Sequence, residues 1–283
     1  MNNFISVDGI HIYVERQGKG ARLLMIPGLA AGTWLWTKNV DELSLHFELI
    51  MPELRGSGRS DKPDHRYSIA CFASDLKSLL EQFDIYKVNI LGASLGGFVA
   101  QYFAANWPEL VNSLVLIGTS LGGENQIGPD GDVLCRTIRP HGRTKHERLE
   151  SVYSFNFTKE YINKYPEELG NITNWRIQYP QPEFAYYRQL LAGYAYNGLN
   201  LVEKIAAPTL ICAGKQDPLV PDENAHLLHR KIPHSKLLLF EGKHMFFFEK
   251  SRQFNQAIID FIKNHAHDFK DRKIASYQTN QQF

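Results

Sequence analysis

The sequence predicts an α/β protein with a mostly parallel central sheet, helices on both faces and a helical insertion. Three observations point there. Short apolar runs near 23–26, 88–91, 114–117, 209–213 and 236–240 alternate with segments of helical spacing. The runs are continuous rather than alternating, which marks strands covered on both faces. Between 122 and 201 the strand signals vanish, charge rises and aromatic residues crowd in. A chain of 283 residues accommodates one such domain together with an insertion.

In chain order, 4–7 and 10–14 flank Asp8-Gly9, a strong short hairpin signal, so an antiparallel edge hairpin opens the fold. The strand at 23–26 is stopped by Pro27-Gly28. A helix-like segment runs from about 34 to 45, and a strand over 47–51 ends at Pro52. The glycine-punctuated loop 53–60 follows. Residues 68–83 have helical spacing, with Ser68 and Ser74-Asp75 read as polar capping and an exposed face. Next come the strand at 88–91, a helix over 98–105 with no breaker until Pro108, and the strand at 114–117 closed by Gly118-Thr119-Ser120. After the insertion, strands at 209–213 and 236–240 resume, and a helix over 251–264 covers the last of them. The expected division is therefore 1–121 as the first part of the core, 122–201 as a helical cap, 202–267 as the second part of the core, and 268–283 as a polar tail.

Composition excludes several classes. A formal net charge of +1 predicts neither a nucleic acid nor an anionic membrane partner. No basic segment followed by an apolar core opens the chain, and no apolar run is long enough to span a bilayer. Three cysteines, Cys71, Cys135 and Cys212, show no paired spacing, so a reducing cytoplasmic setting is expected. The expected partner is a small-molecule substrate, and a homodimer is left open.

The chemistry centres on Gly92-Ala93-Ser94-Leu95-Gly96. This pentapeptide sits where a strand turns into a helix, the context that makes it a nucleophile elbow. A serine at the tip of a sharp turn needs neighbours without bulk, and the flanking glycines have no Cβ. The helix N-terminus behind Ser94 favours developing negative charge. A serine is a poor nucleophile without a base, and the base needs an orienting group. Asp217 follows the strand at 209–213 and His244 follows the strand at 236–240, which places both at the sheet edge where ligand sites form. Taken alone, Asp217 is equally well a turn-capping aspartate before proline, and His244 an ordinary loop histidine. Together with Ser94 they end three sheet strands. The candidate oxyanion donors are the backbone N–H groups of Leu29 and Leu95, although Gly28 could equally be a simple turn residue.

With these residues the chain resembles the α/β-hydrolase superfamily, in the capped branch of esterases, enol-lactonases, carbon–carbon bond hydrolases and cofactor-free haloperoxidases. The resemblance covers nearly the whole chain and implies Ser94 as nucleophile, Asp217 as acid and His244 as base, with Leu29 and Leu95 as oxyanion donors. Two departures stand out. Glu53 begins a loop that the family writes with aspartate, and Pro27 stands where a histidine often precedes the oxyanion glycine.

Other motifs carry less. The loop Gly56-Ser57-Gly58-Arg59-Ser60 lacks the ending of a phosphate loop and is read as structural. His226 and His229 have no further ligand spaced to complete a metal site, so a solvated helix face is expected. Most insertion aromatics should pack the cap onto the core, with a few lining a pocket. Gly28, Trp175, Tyr187 and Met245 are the candidate substrate contacts. The expectation is a serine hydrolase that cleaves a carboxylic ester of a small, fairly apolar substrate and needs no metal or organic cofactor. A lactonase or carbon–carbon hydrolase would use the same groups, and a ligand-sensing homologue would turn over slowly.

Overall fold

Asp8 and Gly9 take φ values of 47° and 81°, the left-handed pair that a two-residue hairpin turn requires. They join β1 (Phe4–Val7) to β2 (Ile10–Gln17), with Val7 opposite Ile10. The computed structural model describes residues 3–139, 142 and 144–266, so the tail expected at 268–283 lies outside the described residues. The other strands are β3 (Ala21–Ile26), β4 (Phe47–Pro52), β5 (Val88–Ala93), β6 (Val111–Ile117), β7 (Thr209–Gly214) and β8 (Ser235–Phe240). They form one eight-stranded sheet in the order β1-β2-β4-β3-β5-β6-β7-β8. The pairings β1–β2 and β2–β4 are antiparallel and the remainder parallel.

The helices are α1 (Val40–Leu43), α2 (Ile69–Gln82), α3 (Leu95–Asn106), α4 (Gly131–Ile138), α5 (Lys145–Glu150), α6 (Tyr153–Asn156), α7 (Lys159–Lys164), α8 (Pro166–Gln178), α9 (Glu183–Tyr194), α10 (Glu223–Lys231), α11 (Phe246–Glu249) and α12 (Ser251–Ala266). Successive side chains of a strand point to opposite faces, so each central strand feeds two cores. Leu24, Ile26, Ile90 and Leu116 pack with Phe72 and Leu76 of α2 and Phe103 of α3. Leu23, Met25, Leu91 and Val115 pack with Phe254, Ile258 and Ile262 of α12 on the other face.

Segment 122–201 holds α4 to α9. Its ends meet at an antiparallel bridge between Gly122 and Asn197, beside a Gly198 N–H to Leu121 carbonyl bond of 2.7 Å. Tertiary bonds clamp the segment down. Thr158 donates through N–H and hydroxyl to Glu249, at 2.7 and 2.8 Å, and Lys38 pairs with Glu168 at 2.5 Å.

Two local expectations are corrected. The helix expected over 34–45 is two short pieces, a 3₁₀ turn at Thr33–Trp36 and α1. Asn39 interrupts them because its buried amide donates to the Phe247 carbonyl at 3.2 Å and to Asn255 at 2.8 Å. Asp75 does not lie on an exposed face of α2. It is 2% exposed and bidentate to Arg55, whose Nε donates at 2.6 Å.

Candidate active site

Ser94 falls between β5 and α3 with φ 54° and ψ −117°. A non-glycine residue rarely adopts such backbone, and it persists only where its surroundings enforce it. Here the Ser94 N–H donates to the Ile117 carbonyl at 2.8 Å, and Thr119 Oγ1 donates to the Ser94 carbonyl at 3.0 Å. The flanking glycines are sterically required. A Cβ on Gly92 would run into the Gly96 carbonyl, and one on Gly96 into the carbonyls of Ile26 and Pro27. Gly97 is tight as well, since its Cβ would come 2.6 Å from Thr119.

The chain leaves β3 through Pro27-Gly28, and a Cβ on Gly28 would sit 3.3 Å from Ser94 Cβ. Leu29 follows directly, and Ala30 takes φ 56°. The Ala30 N–H donates at 3.1 Å to Oε1 of Gln189, a fully buried residue on α9. The Gln189 amide also donates to the Arg55 carbonyl at 2.8 Å and to Ser57 Oγ at 2.9 Å. One side chain of the insertion therefore holds both loops beside Ser94.

On the far side, Lys215 N–H donates to Phe240 and Gln216 N–H to Gly242, knitting the loop after β7 to the loop after β8. Asp217 Oδ1 accepts from the N–H groups of Leu219 and Val220 at 2.9 and 3.0 Å. Its Oδ2 lies 2.6 Å from His244 Nδ1, with the carboxylate fully buried and the imidazole nearly so. Gly118, with φ 49°, leaves room for the ring, because a Cβ there would come 3.2 Å from His244 Cε1.

These groups surround one cavity of about 650 Å³. Ser94, Gly28, Leu29, Leu95, His244, Trp175, Tyr187 and Met245 all line it, and Asp217 stands behind His244. Eight insertion aromatics reach the wall: Tyr153, Phe155, Phe157, Trp175, Tyr179, Tyr186, Tyr187 and Tyr194. More of them line the cavity than the few expected, and Tyr153 and Phe157 do so while also packing in the core with Leu23, Met25 and Phe248. Burial pushes the Tyr186 hydroxyl up to about 12 and raises Tyr153, while it lowers the Arg176 guanidinium.

Sequence reading missed Gln189 and Gly118, and also the seat of Trp175. Gly32 and Gly58 have no side chains where the Trp175 ring sits. Glu53, fully buried, accepts from the N–H groups of Arg59 at 2.5 Å and Thr33 at 3.2 Å, so the departure from aspartate is built into the loop. His226 and His229 lie on the exposed face of α10. Among the described residues, no three His, Cys, Asp or Glu side chains form a metal cluster, and no helix is long and apolar enough to cross a membrane.

Several known proteins are similar. A poly(3-hydroxyalkanoate) depolymerase of Ectopseudomonas oleovorans is 28% identical over 245 residues, covering 85% of this chain and 84% of its own. An esterase of Exiguobacterium antarcticum superposes with a TM-score of 0.83 at 26% identity, over 93% of this chain and 100% of that one. An enol-lactonase of Burkholderia xenovorans shares the fold, with a TM-score of 0.83 at 21% identity over 92% of this chain and 99% of that one. The sequence model of the alpha/beta hydrolase fold matches residues 21–251. With that match spanning six of the eight strands, the elbow and the histidine loop, the chain belongs to the alpha/beta hydrolase fold family.

Proposed function

We propose that this alpha/beta hydrolase is a serine esterase that cleaves a carboxylic ester of a small, largely apolar substrate through an acyl-enzyme on Ser94. The observation that carries the reading is the 2.6 Å contact between Asp217 and His244, on the cavity where Ser94 is held at positive φ. With Nδ1–H donated to Asp217, His244 Nε2 keeps the lone pair that removes the Ser94 proton. Ser94 Oγ attacks the ester carbonyl, and the N–H groups of Leu29 and Leu95 receive the oxyanion. His244 protonates the departing alcohol, then activates the water that clears the acyl group. Residues 122–201 act as a cap whose aromatic wall holds the apolar part of the substrate. The esterase and depolymerase among the similar proteins support ester chemistry.

The test is a panel of 4-nitrophenyl esters of increasing chain length, run beside lactones and vinylogous diketones. Sustained turnover of esters is expected, and Ser94→Ala should lower kcat by about 10⁶-fold. A Ser94→Ala protein that keeps a tenth of the activity refutes the nucleophile. A stoichiometric burst that then stalls, with the adduct on Ser94 seen by intact mass, replaces the enzyme with a ligand sensor. Faster turnover of lactones or diketones than of any ester moves the reaction to those bonds.

A further inference from the structure

Leu169, Ile172 and Thr173 form the buried stripe of α8. Continued at helical spacing, this stripe arrives at Arg176, which is half-buried and lines the cavity. A guanidinium on the inward face of a helix normally meets a carboxylate, because an uncompensated charge out of water is costly. Arg176 has none. Among the described residues it makes no hydrogen bond and no ion pair, and the groups that act on it electrostatically are Tyr153 and Tyr186. Both tyrosines are neutral at ordinary pH, since burial raises them, and their hydroxyls donate elsewhere: Tyr153 to the Leu169 carbonyl and Tyr186 to the Thr137 carbonyl. Among the described residues of the wall, the cation Lys145 and the carboxylate Glu183 are both exposed, so Arg176 is the half-buried charge that faces inward.

We propose that Arg176 is the recognition site for a carboxylate on the substrate, remote from the bond cleaved, so that the preferred esters are anionic half-esters rather than neutral ones. The proposal rests on the esterase reading of the same cavity and narrows its substrate class. A planar guanidinium with free N–H groups matches a carboxylate through two parallel hydrogen bonds. The aromatic side chains that line the same cavity take the apolar spacer, and the counter-charge arrives with the substrate.

The experiment compares matched pairs. Mono-4-nitrophenyl adipate against 4-nitrophenyl hexanoate places the charge on the acyl side, and 4-acetoxybenzoate against phenyl acetate places it on the alcohol side. In one pair, kcat/KM for the anionic ester should exceed the neutral one by about 10- to 100-fold, the contribution of one charge-assisted pair. Arg176→Met should collapse that ratio to about one, mainly through KM, and Arg230→Met, a surface cation on α10, should preserve it. Because Arg176→Met removes an uncompensated charge, its Tm should equal or exceed that of the parent protein. The inference is overturned if neither pair shows a preference, if Arg176→Met retains it, or if that variant loses its fold. Should the parent protein cleave no ester at all, the esterase reading fails separately, and calorimetry of adipate with Ser94→Ala decides the site. Binding that vanishes in the Ser94→Ala, Arg176→Met double variant supports the carboxylate site; no binding by Ser94→Ala overturns it.

Discussion

Holding Ser94 at φ 54° costs about 1–3 kcal/mol, and the neighbouring glycines are what allow the surrounding backbone to enforce it. Gly118 does for His244 what Gly92 and Gly96 do for Ser94. Gly118→Ala would put a Cβ 3.2 Å from the imidazole at a φ that disfavours any side chain, so kcat should fall about 10- to 100-fold as the ring is displaced. Unchanged kcat in a folded variant would show that the ring has room to spare. Asp217→Asn should cost about 10⁴-fold, since an amide favours the wrong imidazole tautomer. Asp222 precedes α10 with no side-chain cap bond, and the carboxylate at His244 Nδ1 is that of Asp217, so Asp222→Asn should be near neutral. Reversal of the two would move the acid to Asp222. The cysteines give a check that needs no substrate. Cys135 is exposed, while burial raises the thiols of Cys71 and Cys212. In native protein Ellman's reagent should therefore label Cys135 first, Cys71 slowly, and Cys212 only after denaturation. Immediate release of three equivalents would contradict the burial of Cys212.

Two helices are each tied to a distant loop by one buried polar side chain. The N-cap of α2 is legible in sequence: Ser68 accepts from Cys71 N–H as its position suggests. Asp75, one further turn along, is not legible, because an aspartate at that spacing looks the same whether it faces water or a buried arginine. Asp75→Ala leaves the Arg55 guanidinium buried without its partner and should destabilise by about 3–5 kcal/mol, read by urea denaturation. A loss below 1 kcal/mol would mean that Arg55 escapes to solvent. Gln189 does for α9 what Asp75 does for α2, but at the end of the sheet that carries the cavity. Its Oε1 is the partner of the Ala30 N–H, next to Leu29, the proposed oxyanion donor. Gln189→Ala should lower kcat about 10- to 100-fold, with KM less affected, if the oxyanion loop loosens. An effect on KM alone would confine Gln189 to shaping the cavity.

Across the whole molecule, stability should grade from the sheet centre outward. Strands β3, β5 and β6 are buried on both faces, whereas β8 at the edge is half-exposed, with Leu238 40% exposed. Native-state hydrogen exchange should therefore protect 23–26, 88–93 and 114–117 to the level of global unfolding, and release β1 and β8 earlier. Uniform protection across all eight strands would instead mark a single cooperative unit. The apolar run at 236–240, read as a strand covered on both faces, belongs instead to an edge strand whose Lys236 and Leu238 are exposed.

The sequence by itself determined the order of the elements, the strand-to-helix turn at Ser94 and the loop ends that bear Asp217 and His244. Those signals are local, because apolar periodicity records which side of a short segment is covered, and glycine records where a side chain will not fit. Only the tertiary structure decided which polar groups meet. Asp217 reaches His244 across 27 residues, Gln189 reaches Ala30 across 159, and Asn39 breaks a helix to bond Asn255 across 216. Arg176 is the converse case, a charge that the packing of α8 turns inward without a partner. A polar side chain has the same local signature whether it is solvated, paired or waiting for a ligand, and its partner is fixed only when distant elements pack together.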